Sequence, residues 1–337
     1  MKWGIFLDEK ALEVLEQYEL EVLRTRKGRD VYFVETDHGL HMLKEYHGSE
    51  EKAKRLWELM QSVRDVEFFK TDVPVCTKEG LFLAKSGEEK TYLLKSWREG
   101  RECDPGSETD ICRAMEGLAI FHTVSKGAWQ FLTENEREKN EGPHLEEEFR
   151  KRTRELKKVQ NFIRKKQKKT EFERCYLEVV PEFLGQALEI IESMQQSGYD
   201  GLRSQALEAG FICHGEYHQH NVYFDRSGLV LANFDHARLD LPCMDVALFL
   251  RKIMEKQGWK TSLGERALKA YEVVRPMSGQ ERKILGFCFA YPEKLWKIAN
   301  HYYHTNKAWI PAKDLEKLKT FANQQKDRER FVQQVIL

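Results

Sequence analysis

The segment from His214 to Asp235 limits the folds open to this chain more than any other. It reads His-Gly-Glu-Tyr-His-Gln-His-Asn, then Val-Tyr-Phe, then Asp-Arg-Ser-Gly, then Leu-Val-Leu-Ala-Asn-Phe-Asp. Two short apolar runs flank a four-residue turn whose Asp and Gly suit a tight reversal, so an antiparallel hairpin is expected over 214–235. If the turn pairs Phe224 with Leu229, Asn221 comes to lie near Ala232. Asp235 then sits just beyond, at the same end of the hairpin. An amide oxygen and a carboxylate so placed can hold Mg²⁺ against nucleotide phosphates. An acid five residues before the Asn, here Glu216, can orient an attacking hydroxyl.

Such a hairpin needs an opposing wall that carries a cation. The first 95 residues supply a candidate: short extended runs at 20–23, 31–34 and 40–43, separated by turn residues, followed by two more at 80–84 and 91–94. Ser49 suits a helix N-cap, Glu50 and Glu51 suit a first turn, and Ala53, Leu56, Trp57, Met60 and Val63 follow helical spacing. A small five-stranded antiparallel sheet with one helix is therefore expected. Lys44, at the end of the third run, is the candidate phosphate ligand. Its carboxylate partner is open among Glu50, Glu51 and Glu58: Glu58 has kinase-like spacing but points away from the apolar stripe, and Glu50 lies nearer the stripe but close in sequence. The polar segment 95–101 marks the boundary between an N-terminal lobe, 1–95, and a C-terminal lobe, 96–337.

Beyond that boundary the chain reads as mainly helical, starting with 111–124. Residues 134–148 hold seven acids, and 150–169 hold eleven bases against the single acid Glu155. Leu145, Phe149, Leu156, Val159 and Ile163 run an apolar stripe through this region, so an amphipathic helix with a basic outer face is expected. That face, 150–169, is also the candidate surface for an anionic partner. Lys plus Arg and Asp plus Glu are both 55, which removes the global basic field of a general nucleic-acid binder. The longest apolar run, 284–291, is far below the ~20 residues that span a bilayer, so no membrane segment is expected. Nor is a signal peptide expected, because Asp8 interrupts the start of the chain before any apolar core. The seven cysteines form no Cys-x-x-Cys pair, and His214, His218, His220 and His236 lack the spacing of metallohydrolase ligands. Zinc is not expected.

The order Lys44, hinge, His214-Gly215-Glu216, Asn221, Asp235 and Asp245-Val246-Ala247 resembles the aminoglycoside phosphotransferase and choline kinase superfamily, whose pattern is His-Gly-Asp-x-x-x-x-Asn followed by a metal-binding Asp. Within it, the chain is similar to the CotS family of bacterial spore coat proteins. The similarity takes in Trp97-Arg98-Glu99-Gly100-Arg101-Glu102-Cys103, Leu118-Ala119-Ile120-Phe121-His122 and the aromatic block from Tyr291 to Tyr303 with Lys307-Ala308-Trp309-Ile310. The resemblance implies an α+β, bilobal, protein-kinase-like fold in a protein of sporulation, made in the mother cell cytoplasm and deposited in the spore coat. It implies other coat proteins or a small-molecule acceptor as partners. By position, Lys44 would contact the phosphates of ATP, the 93–97 segment with Leu94 and Ser96 would face its base, and Asn221 and Asp235 would hold Mg²⁺. Asp245 would brace the loop that carries His214. Glu216 stands where the pattern has Asp, and one extra methylene shifts its carboxylate by about 1 Å, a misplacement that can cost roughly 100-fold in rate. A nucleotide-binding or degenerate kinase is therefore expected, with an active Mg-ATP-dependent phosphotransferase as the alternative.

Overall fold

The computed structural model describes residues 13–28, 31–87, 90–304 and 311–337. Strands β1 (Val22–Lys27), β2 (Val31–Thr36) and β3 (Gly39–Glu45) form a meander, and helix α1 (Glu50–Ser62) follows. Strands β4 (Phe69–Thr71), β5 (Leu83–Lys85), β6 (Thr91–Ser96) and β7 (Arg101–Glu102) come next. The N-terminal sheet has five antiparallel strands in the order β1-β2-β3-β6-β5. Ser49 caps α1 by accepting from Lys52 N, and α1 buries Ala53, Leu56, Leu59 and Met60.

The first strand lies later than the apolar pattern suggests. Its ladder against β2 runs on through Arg24, Thr25, Arg26 and Lys27, while Leu23 is 56% exposed. On an edge strand the pairing, not burial, defines the element, so hydropathy misplaces it. Strand β4, which has no sequence signature, pairs in parallel with the distant β10. It belongs to a second sheet ordered β4-β10-β9-β7, so a strand from the N-terminal 95 residues is built into the sheet of the hairpin.

The rest is helical: α2 (Glu108–Val124), α3 (Glu134–Lys139), α4 (Leu145–Lys165), α5 (Glu171–Gln195) and α6 (Tyr199–Glu208) precede the hairpin region. That region comprises β8 (Ile212–Cys213), β9 (Val222–Asp225), β10 (Gly228–Leu231) and β11 (Arg238–Leu239). After it come α7 (Cys243–Lys256), α8 (Thr261–Glu272), α9 (Gly279–Ala290), α10 (Glu293–His304), α11 (Pro311–Asn323) and α12 (Gln325–Phe331). Helix α4 is amphipathic as its stripe requires: Leu145, Phe149, Leu156 and Ile163 are buried, and Lys151, Arg154, Lys157, Lys158 and Arg164 lie on its outer side. The aromatic block packs rather than forming a cage. Tyr291 stacks on Phe149 at 3.8 Å and Tyr302 on Phe172 at 3.9 Å, each filling the seam between α4–α5 and the helices that follow the hairpin. Trp309, the other end of that block, lies outside the described residues. Among the described residues no helix is long and apolar enough to cross a membrane.

Candidate functional site

The hairpin has the register its turn length requires: Phe224 faces Leu229, and Ala232 N donates to Asn221 O at 3.0 Å. Past β10 the chain turns sharply at Asn233, whose φ of 67° lies in the left-handed region that Asn tolerates better than most residues. This turn swings Asp235 back toward the N-terminal sheet. Gly215 makes the turn fit. Its φ is +80°, and a Cβ there would stand 2.0 Å from the His236 carbonyl oxygen, so no other residue lets the two loops approach.

Asp245, in the first turn of α7, braces the loop between β8 and β9. Its Oδ2 accepts from His214 N at 2.6 Å, and its Oδ1 from Gly215 N at 3.0 Å. His122 Nε2 donates to the same carboxylate at 3.1 Å, while His122 Nδ1 accepts from the Tyr271 hydroxyl at 2.8 Å. Burial pushes the Asp245 carboxyl up, but His122, His214 and Arg238 outweigh it and hold the group below the ordinary aspartate value. The His214 ring is pinned as one tautomer: Nε2–H donates to Ala232 O at 3.0 Å and Nδ1 accepts from Glu216 N at 3.2 Å. His122, Cys213 and Asp245 offer ligand atoms within 4.8 Å of one another. Each is already spent, Cys213 Sγ donating to Leu241 O, so the trio is a hydrogen-bonded core and not an open metal site.

This core has a pH signature. Burial lowers the pKa of both His122 and His214, which are fully enclosed, below the ordinary 6.5. The unfolded chain takes up two protons below pH 6.5 that the folded chain refuses. Stability is therefore full above that pH and falls as pH drops, by up to about 2.7 kcal/mol per pH unit for two protons. Urea midpoints measured at pH 7.5 and pH 5.5 should differ accordingly; equal midpoints would contradict neutral, buried histidines.

Lys44 crosses from β3 to the hairpin. Its Nζ pairs with Asp235 Oδ2 and donates to Asn233 Oδ1 at 3.0 Å. Asn233 Nδ2 approaches Asn221 Oδ1 at 3.4 Å, and Asn221 Nδ2 donates to Glu216 O at 2.9 Å. Lys44, Asn221 and Asp235 thus meet in one cluster. None of the three candidate glutamates pairs with Lys44. Glu50 accepts from Phe82 N and Leu83 N instead, tying α1 to the start of β5, and Glu51 interacts with the Ser49 cap. The Glu216 side chain is 41% exposed and stands 3.6 Å from His236 Nε2.

One member of the cluster has no counterpart among the residues that the sequence nominates. Lys95, by its neighbours the first residue of a polar link, is buried on β6, its side chain 1% exposed. Its Nζ lies 3.1 Å from Asp72 Oδ2 and 2.6 Å from Asp235 Oδ1. Asp72 Oδ2 also accepts from Asn233 N at 3.0 Å. Burial and the nearby Lys95 lower Lys44 to about 7 against the opposing pull of Asp72 and Glu216. The sequence signal for Lys95 is its phase, since it shares the period-2 face of buried Leu93.

Leu94 and Ser96 serve the sheet. Leu94 is buried with Val34 and Leu43, and its carbonyl accepts from Val75 N at 2.9 Å. Ser96 Oγ accepts from Val73 N at 3.0 Å. The next residue, Trp97, reaches the space between the two parts of the molecule, 5.7 Å from the Phe33 ring and 5.4 Å from the Tyr223 ring, centroid to centroid.

The donor set fits Mg²⁺ in kind, because Asn221 and Asp235 offer hard oxygens. Asn221 Oδ1 has only the long contact from Asn233, whereas both Asp235 oxygens are held by lysines.

With this geometry the chain matches, over residues 11–335, the model of the family described as "Spore coat putative kinase YutH". It belongs to that family. It is 23% identical over 331 residues to Spore coat protein S of Bacillus subtilis (strain 168), covering 95% of this chain and 92% of that protein. The fold is similar to that of an aminoglycoside phosphotransferase from Alicyclobacillus acidocaldarius, with a TM-score of 0.84 at 18% identity, covering 99% of this chain and 96% of that one. It is also similar to amicoumacin kinase hAmiN, solved with AMP-PNP, Ca²⁺ and Ami, with a TM-score of 0.61 at 12% identity over 96% of this chain and 94% of that one. The expected kinase-like α+β fold is the observed one.

Proposed function

We propose that this protein is a spore coat component whose cleft binds an ATP-class nucleotide and transfers its phosphoryl group slowly or not at all. It would be made in the mother cell and deposited in the coat, as the family description and the Spore coat protein S relative suggest. The observation that carries the nucleotide reading is the convergence of Lys44 from β3 with Asn221 and Asp235 from the hairpin. A chain kept only for its shape has no need to bring these three together from such distant parts of the sequence. In this reading Lys44 turns from Asp235 to the phosphates. Asn221 and Asp235 are the groups that could hold Mg²⁺, which would add charge neutralisation at the phosphates, but both Asp235 oxygens are already taken by lysines, so the nucleotide reading does not depend on it. Nucleotide-bound kinases among the fold relatives support the same class of ligand.

Slow transfer follows from Glu216. Its carboxylate is one methylene longer than the Asp of the superfamily pattern, and it leans toward His236. A misplacement of about 1 Å costs roughly 100-fold in rate. ATP at about 100 times its dissociation constant should stabilise the protein by ~2.7 kcal/mol, read as a rise in melting temperature that Lys44→Met abolishes. Phosphate release should stay near background in the native chain and rise in Glu216→Asp. A melting temperature indifferent to millimolar ATP would sink the nucleotide reading, and brisk turnover in the native chain would favour an active phosphotransferase acting on a small-molecule hydroxyl or a coat protein.

A further inference from the structure

Lys95 is the charged group that this reading leaves unused. A buried ammonium persists only where its charge is matched. Here the charges balance while Lys44 keeps its proton: Asp72 and Asp235 contribute two negative charges, Lys44 and Lys95 two positive ones. A divalent cation at Asn221 and Asp235 brings two further positive charges to a cluster that is already neutral. It also meets a carboxylate with one oxygen committed to Lys95 at 2.6 Å. The two lysines differ in freedom. Lys44 has its side chain 14% exposed and can turn to an incoming phosphate. Lys95 cannot, because Asp72 holds it from a second side and both of those side chains are 1% exposed. Like charges this close repel strongly where water is excluded.

We infer that Lys95 is a resident cation that takes the place of a divalent metal's charge at Asp235, so that the cleft favours metal-free polyphosphate, recognised by lysine, and holds a divalent cation weakly. Lys95 is thereby the residue that selects free over metal-bound nucleotide. The nucleotide half of this inference rests on the function proposed above; the metal half does not.

The test starts with the metal alone. The intact protein is titrated with Mn²⁺, and the free ion is followed by its electron paramagnetic resonance signal. Lys95→Met by itself leaves Asp72 buried without a countercharge, so it is combined with Asp72→Asn, whose amide oxygen can still accept from Asn233 N. Lys95→Gln, which keeps hydrogen-bonding capacity without the charge, is the second variant, again combined with Asp72→Asn, and circular dichroism verifies the fold of each. The native chain should bind Mn²⁺ no tighter than about 1 mM, and the variants at least about tenfold tighter, a gain that Asp235→Ala removes. Equal affinity in native and variant chains, or tight binding by the native chain, overturns the inference. A fluorescent ATP analogue then reports the nucleotide half. Native affinity should change by less than about threefold between Mg²⁺ and EDTA, whereas the variants gain about tenfold with Mg²⁺. Native binding that requires Mg²⁺ overturns the inference. No nucleotide binding in either buffer overturns the proposed function instead, and the Mn²⁺ titration then decides the role of Lys95 by itself.

Discussion

Asp245→Ala should cost about 3–5 kcal/mol of folding stability and abolish nucleotide binding, although Asp245 touches neither Lys44 nor Asp235. The carboxylate is 1% exposed and receives three donors: His214 N, Gly215 N and His122 Nε2. Truncation strands all three where water does not reach, and each unsatisfied buried donor costs about 1–3 kcal/mol. The loss also propagates. His214 loses its backbone anchor, and its ring is what ties Glu216 N and Ala232 O together across the hairpin mouth. The loop that carries Glu216 and Asn221 then has no fixed position relative to β9 and β10. Asp245→Asn should recover less than half of the loss, since one of its two oxygens becomes an NH₂ that faces a donor. Urea denaturation followed by circular dichroism reads the stability, and an ATP-dependent melting shift reads the cleft. A variant within about 1 kcal/mol of the native chain would show that the brace is dispensable.

What can be read from the sequence follows from where the determining forces are local. The hairpin register needs only turn length and side-chain alternation, so the amino acids alone place Asn221 and Asp235 at one end of it. Helix α1 announces itself through Ser49 and the apolar stripe from Ala53 to Met60. Helix α4 does so through its opposed apolar and basic faces. Lys44 can be nominated because it ends a strand beside a helix. Its partner cannot, because the competing glutamates are decided by contacts distant in sequence: Glu50 is captured by the amides of Phe82 and Leu83, which lie beyond the far end of α1. Asp72 is out of reach for the same reason. It follows β4, whose strand character comes from pairing with the far-removed β10. Lys95 is legible in principle, through its shared phase with Leu93, but a lysine followed by Ser-Trp-Arg-Glu-Gly reads as the start of a polar link when its two buried carboxylate partners are unknown.

Those partners make Asp235→Ala an informative substitution, and it should destabilise the protein by about 3 kcal/mol. A carboxylate kept free for a metal commonly sits unpaired in the resting protein, and its removal then leaves stability unchanged or improves it, because a site built for function stores unfavourable electrostatics. Asp235 is placed differently. It accepts Lys95 on Oδ1 and Lys44 on Oδ2, with its side chain only 12% exposed. Truncation leaves an arrangement built for four charges with three, two of them positive and one of those, Lys95, buried. The cost should fall at the low end of the range for breaking a buried pair, since Lys95 keeps Asp72 and Lys44 is already lowered to about 7 by burial and can release its proton. A further sign follows: Lys44 stands at about 7 in the native chain and lower still without Asp235, so raising the pH from about 7 to about 8.5 takes its proton in the native chain and should narrow the stability gap, because the charge pair that the variant lacks is then lost. Urea midpoints at the two pH values measure both effects. A variant as stable as the native chain would mean that Asp235 is not held by the lysines in solution, and the charge balance around Lys95 would fall with it.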